Sequence, residues 1–349
     1  MKLKKKLYAI AIVMAALLAG CARGDAKSAY TEASTQLVSG SYEEAEAGFK
    51  KVIESGYYLA YAYRGLGLTQ MSTSNYAEAC IAFERALLNV DGQGADFTKD
   101  VNLYLAFCRQ RHGETDKTME IYNSILARET DPDVLFLRGR LNMELGNEAA
   151  AASDFDKAAS LSGDYDLYIN IYQAYASHGK RADGSDYLER ALKIVNTSQA
   201  DYYNKGLVNY YLQNYDDAKS YLIQALDEDP EDSGSILLLG RVYLALNDVA
   251  DARAMFNEYV DDPSTAPAAY NGLALCDMED DDYEKALANV EKGLEYGNST
   301  ANRGLLFNEI IIYEHRRDWA MAKAKSAAYI AMYPADEAGL RENEFLSTR

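Results

Sequence analysis

Residues able to do chemistry are few in this 349-residue chain: three histidines (His112, His178 and His315) and four cysteines (Cys21, Cys80, Cys108 and Cys276). Two histidines share a metal ion when a helix sets them one turn apart, but the residues four before and four after His315 are Ile311 and Trp319. His112 and His178 each precede a glycine, Gly113 and Gly179. There a histidine meets the negative end of a helix dipole and the glycine takes the left-handed closing position, so both are expected to cap helices. Cys80, Cys108 and Cys276 lack C-x-x-C spacing and stand among apolar residues. This predicts small buried thiols, with a Cys80–Cys108 disulfide as the alternative. The acidic runs Asp227-Glu228-Asp229, Asp261-Asp262 and Glu279-Asp280-Asp281-Asp282 lack the alternating ligands and central glycine of a calcium loop, and read as solvated helix ends. No G-x-S-x-G elbow, phosphate-cradling glycine loop or Cys/His pair occurs. The chain is therefore expected not to be an enzyme and to use no metal or other cofactor.

The N-terminus begins with Lys2, Lys4, Lys5 and Lys6 and continues through an uncharged stretch from Leu7 to Gly20, too short to span a bilayer comfortably and of signal-peptide form. It closes on Leu18-Ala19-Gly20-Cys21, which resembles the bacterial lipobox. The resemblance implies that residues 1–20 are removed, that Cys21 is diacylated, and that 21–25 form a short linker. Two acyl chains anchor stably where one does not. Beyond residue 20 there are 35 − 4 = 31 bases against 54 acids, a formal charge of −23. So acidic a surface repels nucleic acid and anionic lipid, leaving the lipid anchor as the expected membrane contact and excluding a nucleic-acid partner.

The elements that must position any site show in a recurring phrase: SYEEAEAGF from Ser41, NYAEACIAF from Asn75, NYDDAKSYL from Asn214 and DYEKALANV from Asp282. Its small residue falls at Ala45, Ala79, Thr118, Ala151, Gly184, Ala218, Ala252, Ala286 and Ala322, a period near 34 sustained along the chain and the mark of a helical repeat array. Two short amphipathic helices fit each period, as at Gln199–Leu212 and Tyr215–Asp227. Neither is long enough to stand alone in water. Twelve residues before the aligned position comes another small residue (Ala33, Gly67, Ala106, Gly139, Gly206, Gly240, Ala274), so paired helices approach closely. Four residues after it a larger one (Phe49, Phe83, Tyr122, Phe155, Leu188, Leu222, Phe256) fills the next layer. Pro132, Pro230 and Pro334 read as helix stops.

These residues resemble the tetratricopeptide repeat, whose motif sets leucine-glycine, tyrosine, alanine, phenylalanine, alanine and proline at such intervals. Leu66-Gly67, Tyr76, Ala79, Phe83 and Ala86 carry it well. The resemblance implies an all-α, right-handed α-solenoid of about nine repeats over residues 26–335, with 336–349 as a polar capping helix or tail. Tyr172 replaces the small residue of the fifth repeat and faces Gly184, a compensation, and Ile310 takes the glycine place in the ninth. About five extra residues around Gly92 and Gly94 are expected to form a flexible connection.

In the family the first helices line a concave face, and the second, fifth, ninth, twelfth and thirteenth positions of each repeat touch partners. The matching residues are Tyr61, Arg64, Phe107, Arg111, Phe136, Arg140, Tyr203, Tyr210, Tyr211, Arg241 and Phe307. Arginine and aromatics are the side chains that most often anchor protein interfaces. None of the ninth positions holds the asparagine of the family's chaperone-binding carboxylate clamp. The expected function is that of an extracytoplasmic lipoprotein scaffold, binding a peptide segment or helix of another envelope or secreted protein. The alternative is a glycan-capturing lipoprotein on a helical-repeat core.

Overall fold

The computed structural model describes residues 23–349 apart from 91, 93, 196, 197, 298, 334 and 335, and excludes the side chains of 299–301 and 337. The signal segment, Cys21 and Pro334 lie outside the described residues. Every element among the described residues is helical. Where the sequence reads as one continuous array, the chain gathers into two compact units, one ending at Ala158 and the other running from Ala159 to Arg349. The first holds α1 (23–38), α2 (Tyr42–Glu54), α3 (Leu59–Ser72), α4 (Tyr76–Leu87), α5 (Ala95–Arg111), α6 (Thr115–Leu126), α7 (Pro132–Glu144) and most of α8 (Glu148–Leu161). The second holds α9 (Tyr165–Ser177), α10 (Arg181–Ala191), α11 (Gln199–Tyr211), α12 (Tyr215–Glu228), α13 (Ser233–Ala245), α14 (Val249–Asn257), α15 (Ala266–Glu279), α16 (Tyr283–Glu295), α17 (Ser299–His315), α18 (Trp319–Met332) and α19 (Glu337–Ser347). Within each unit, helices adjacent in sequence pack on one another, which makes the fold an α-solenoid.

The period has a backbone cause. Gly40, Ser74, Gly113, Gly146, Gly179, Gln213, Asn247, Asp281 and Arg317 all have positive φ, each five residues before an aligned small residue. Each closes a first helix in the same way. At Ser74 its amide donates to Met71 O (3.0 Å) and the next amide, Asn75 N, donates to Gln70 O (2.8 Å), the two-bond Schellman closure that requires a left-handed residue. His112 and His178 occupy the C-cap positions of α5 and α9 directly before two of these turns, as expected.

The small residues do the packing work assigned to them. Ala33, Ala106 and Ala274 are fully buried, and a Cβ added at Gly67, Gly139 or Gly240 would come within 2.6–2.8 Å of the Phe83, Phe155 or Phe256 ring. At Gly184 an added Cβ would meet Tyr172 at 3.1 Å, so the fifth repeat does compensate a large residue with a glycine. Cys80, Cys108 and Cys276 are free and buried, which settles against the disulfide. Burial pushes the Cys108 thiol up to about 12.

Two expectations are corrected. The extra residues of the third repeat do not form a flexible connection alone: Gly94 is the N-cap of α5, which runs to 17 residues and so carries an added helical turn. Lys99 on that lengthened helix is held by Glu129 and Asp131. Pro132 does not stop a second helix, since α6 ends at Leu126. It starts α7, where its missing N–H has no helical partner to lose.

At the far end of the second unit, α19 packs on α18 and brings Glu342 beside Glu314 of α17. Burial first, and then the neighbouring Glu342 carboxylate, raise the Glu314 carboxyl from its ordinary 4.5 to about 7. A raised carboxyl means that the fold holds the proton more tightly than the unfolded chain does. Its contribution is complete below about pH 4.5 and is lost as pH rises through about 7. Amides of α19 are therefore expected to exchange with solvent faster at pH 8 than at pH 5.5, beyond the intrinsic pH effect. In hydrogen-exchange mass spectrometry Glu314→Gln should remove most of that difference, and Glu342→Gln only the smaller part that its carboxylate adds to burial.

Candidate protein-binding face

First helices of successive repeats touch one another, α3 with α5 and α11 through α13 and α15 to α17. All eleven expected site residues stand on first helices, yet their surroundings divide them. In the first unit, the Tyr61 ring is held edge-on between Tyr30 (6.2 Å) and Phe97 (4.9 Å). Arg64 donates from Nε to Asp100 at 2.7 Å and lies over the Tyr104 and Phe97 rings at 5.5 and 6.0 Å. Both residues pin α3 to α5, Tyr61 through its ring and Arg64 through Asp100. Phe307, in the second unit, likewise packs edge-on against Tyr329 at 5.7 Å in the core of the last repeat.

Phe107 and Phe136 behave differently. Phe107 is 40% exposed, leans on Tyr76 at 6.2 Å and is covered by the Arg111 guanidinium at 5.5 Å. Phe136 is half-buried against Phe155 (5.9 Å), with Arg140 over its ring at 5.9 Å. Arg111 and Arg140 are exposed, and among the described residues neither has an ion pair. Their sequence neighbours do: Arg109 is bound to Glu84 at 2.7 Å and Arg138 to Asp154 at 2.6 Å.

The second unit concentrates tyrosine. Tyr210 stands 6.0 Å from both Tyr211 and Tyr215. Tyr211 packs on Tyr172 at 5.3 Å and accepts a hydrogen bond at its hydroxyl from Gln173 Nε2 at 3.1 Å. Burial raises the Tyr203 and Tyr210 phenols, the Asp232 carboxylate adds to the first, and the Arg241 guanidinium works against both shifts. Arg241 is exposed and has no ion pair among the described residues. The arrangement is a half-buried aromatic floor, suited to an apolar or aromatic side chain.

Tyr172, Gln173 and Tyr215 join this floor without having been singled out as site residues. Tyr172 had been read only as the partner of Gly184, and Tyr215 only as the first residue of a second helix. Among the described residues no group of three or more His, Cys, Asp or Glu could hold a metal ion.

Tetratricopeptide-repeat family models match residues 30–96, 132–165 and 211–276. These three segments are tetratricopeptide repeats. That architecture is a scaffold for protein–protein interaction. The repeats are 28% identical over 148 residues to the mitochondrial import receptor subunit TOM70 of Saccharomyces cerevisiae, a stretch of 42% of this chain and 24% of that protein. The chain thus matches about a quarter of that relative's length. Among solved structures, a tetratricopeptide repeat protein from Parabacteroides merdae is similar over 71% of this chain and 98% of its own, at 14% identity and a TM-score of 0.49. Yeast Tom70 is similar over 91% of this chain and 81% of its own, at 16% identity and the same TM-score.

Proposed function

We propose that this chain is a membrane-anchored, extracytoplasmic scaffold whose first-helix faces bind an extended peptide or a helix of another envelope protein. The observation that supports it is the pairing of aromatics with guanidiniums that have no ion pair among the described residues: Arg111 with Phe107 and Arg140 with Phe136. In a chain with 54 acids and 35 bases, an exposed arginine without a carboxylate partner is free to meet one supplied from outside. A partner segment that alternates aromatic or apolar residues with Asp or Glu fits this chemistry, because buried arginine and tyrosine anchors hold most of the energy of such interfaces.

The test is a pull-down from solubilised envelopes. Arg140→Glu combined with Tyr210→Ala should weaken capture of the partner by on the order of 30-fold, the size expected from losing about 2 kcal/mol of anchor energy. Unchanged capture by a double variant whose circular dichroism matches the parent would place the binding surface elsewhere. The tyrosine floor is also a surface on which a sugar ring would stack. Glycan-array binding that disappears with Tyr210→Ala would favour the nutrient-capture alternative.

A further inference from the structure

The rim of the first unit closest in sequence to Cys21 holds a cavity of about 520 Å³, walled in part by Arg23, Tyr57, Tyr58, Tyr61 and Leu88. Among the described residues its wall contains one guanidinium and no carboxylate, although acids outnumber bases 54 to 35 in the chain. A second cavity of about 440 Å³ beside the lengthened α5 has both Asp96 and Glu129 in its wall. At the rim, the Arg23 guanidinium lies 5.9 Å above the Tyr58 ring, and Leu88 is 74% exposed. Positive φ at Gly56 and Tyr58 turns the chain sharply between α2 and α3, and both Tyr57 and Tyr58 line the cavity.

The chain outside the structure ends at this place. Arg23 is three residues beyond Gly20, so no more than about 11 Å of extended chain separates the cavity wall from the end of the apolar Leu7–Gly20 stretch. On the reading that Cys21 is diacylated, the chain leads from this wall into a bilayer.

We propose that this rim rests on the membrane as a lipid-headgroup surface, with Arg23 meeting a lipid phosphate, the tyrosines at headgroup level and Leu88 at the acyl boundary. The proposal builds on the reading that the chain is anchored through Cys21. The physical fit is specific to this edge. A guanidinium pairs well with a planar face of phosphate oxygens, tyrosine is enriched where one end of a ring is apolar and the other wet, and carboxylates would be repelled by an anionic leaflet. Elsewhere the acidic surface is held off by its charge.

The experiment places a reporter on the rim. In the full-length chain, Leu88→Cys is labelled with an environment-sensitive fluorophore, the native Cys80, Cys108 and Cys276 being buried. The protein is then incorporated into vesicles of phosphatidylethanolamine and phosphatidylglycerol carrying a headgroup nitroxide lipid. The protein should float with the vesicles and its fluorophore should be quenched. Arg23→Glu should keep flotation while reducing quenching about fivefold, the scale of one basic contact near an anionic surface. A floating protein with an unquenched fluorophore, or quenching indifferent to Arg23→Glu, overturns the rim assignment and leaves the anchor standing. Failure to float, or equal flotation of a Cys21→Ala variant, overturns the anchor reading and the rim with it.

Discussion

Phe256→Ala should cost about 3–5 kcal/mol, at the upper end of what a buried phenylalanine loses on truncation. The ring is 1% exposed and is gripped by glycines from two repeats. A Cβ added at Gly240, in its own repeat, would come within 2.8 Å of the ring, and one added at Gly272, in the next, within 2.5 Å. Bare backbone forms both of these walls, and Leu273 and Cys276 of α15 complete the cluster around the ring. The same geometry makes Gly272→Ala an overpacking change of about 1–3 kcal/mol. Combining it with Phe256→Leu should cost less than the sum of the single variants, since the two share one contact. Repeat arrays transmit stability mainly between neighbours, so the loss should appear first as faster hydrogen exchange in α13–α15. A change under about 1 kcal/mol in urea unfolding of Phe256→Ala would contradict the two-glycine grip.

Phe256 also shows which parts of the fold are legible from sequence and which are not. Gly240 was readable because it recurs at a fixed distance from the aligned small residue of its own repeat. Gly272 was not. It stands two residues before Ala274, off the motif, and its smallness is dictated by a ring from the preceding repeat. Gly65, whose added Cβ would come within 2.4 Å of Phe49, follows the same rule. The left-handed turns were half legible. Gly40, Gly113, Gly146 and Gly179 announce themselves, but Ser74, Gln213, Asn247, Asp281 and Arg317 adopt the same φ only because the Schellman bonds at each turn demand it. The lengthened α5 was misread because two glycines in a row of polar residues look like a loop, while the tie from Lys99 to Asp131 and Glu129 is a contact made over about thirty residues.

The candidate face divides along the same line. A position number within a repeat fixes which helix face a residue occupies, so Tyr203, Tyr210, Tyr211 and Arg241 were found together. It does not fix what the neighbouring repeat offers. Arg64 lost its freedom to Asp100 and Phe307 was taken up by Tyr329, whereas Arg140 has no ion pair among the described residues. Tyr172 joined the face because its replacement of a small residue matters to the adjoining repeat as well as to its own. Its ring packs on Tyr211 across 39 residues of sequence.

The same reasoning makes Arg253→Met the counterpart of the Phe256 result in polar terms. Arg253 on α14 reaches Asp277 of α15 through Nη1 at 2.6 Å and Asp280 through Nη2 at 2.7 Å. Asn289 of α16 donates to the other Asp277 oxygen at 2.7 Å. The Asp277 side chain is 3% exposed, so the three helices are joined through a carboxylate that water cannot reach. Removing the cation leaves that charge with one amide donor, and breaking a buried pair from one side typically costs about 3–5 kcal/mol. Charge, rather than lost packing, should account for most of this, because methionine keeps much of the arginine stem's apolar length. Asp277→Asn introduced into Arg253→Met should therefore recover about half or more of the lost stability, while Asp277→Asn alone leaves the guanidinium with Asp280 only and is itself destabilising. Urea unfolding of the four members of this cycle decides it. Equal losses for Arg253→Met and the double variant would show that the pair acts through packing, and that the buried carboxylate is satisfied by Asn289 without its arginine.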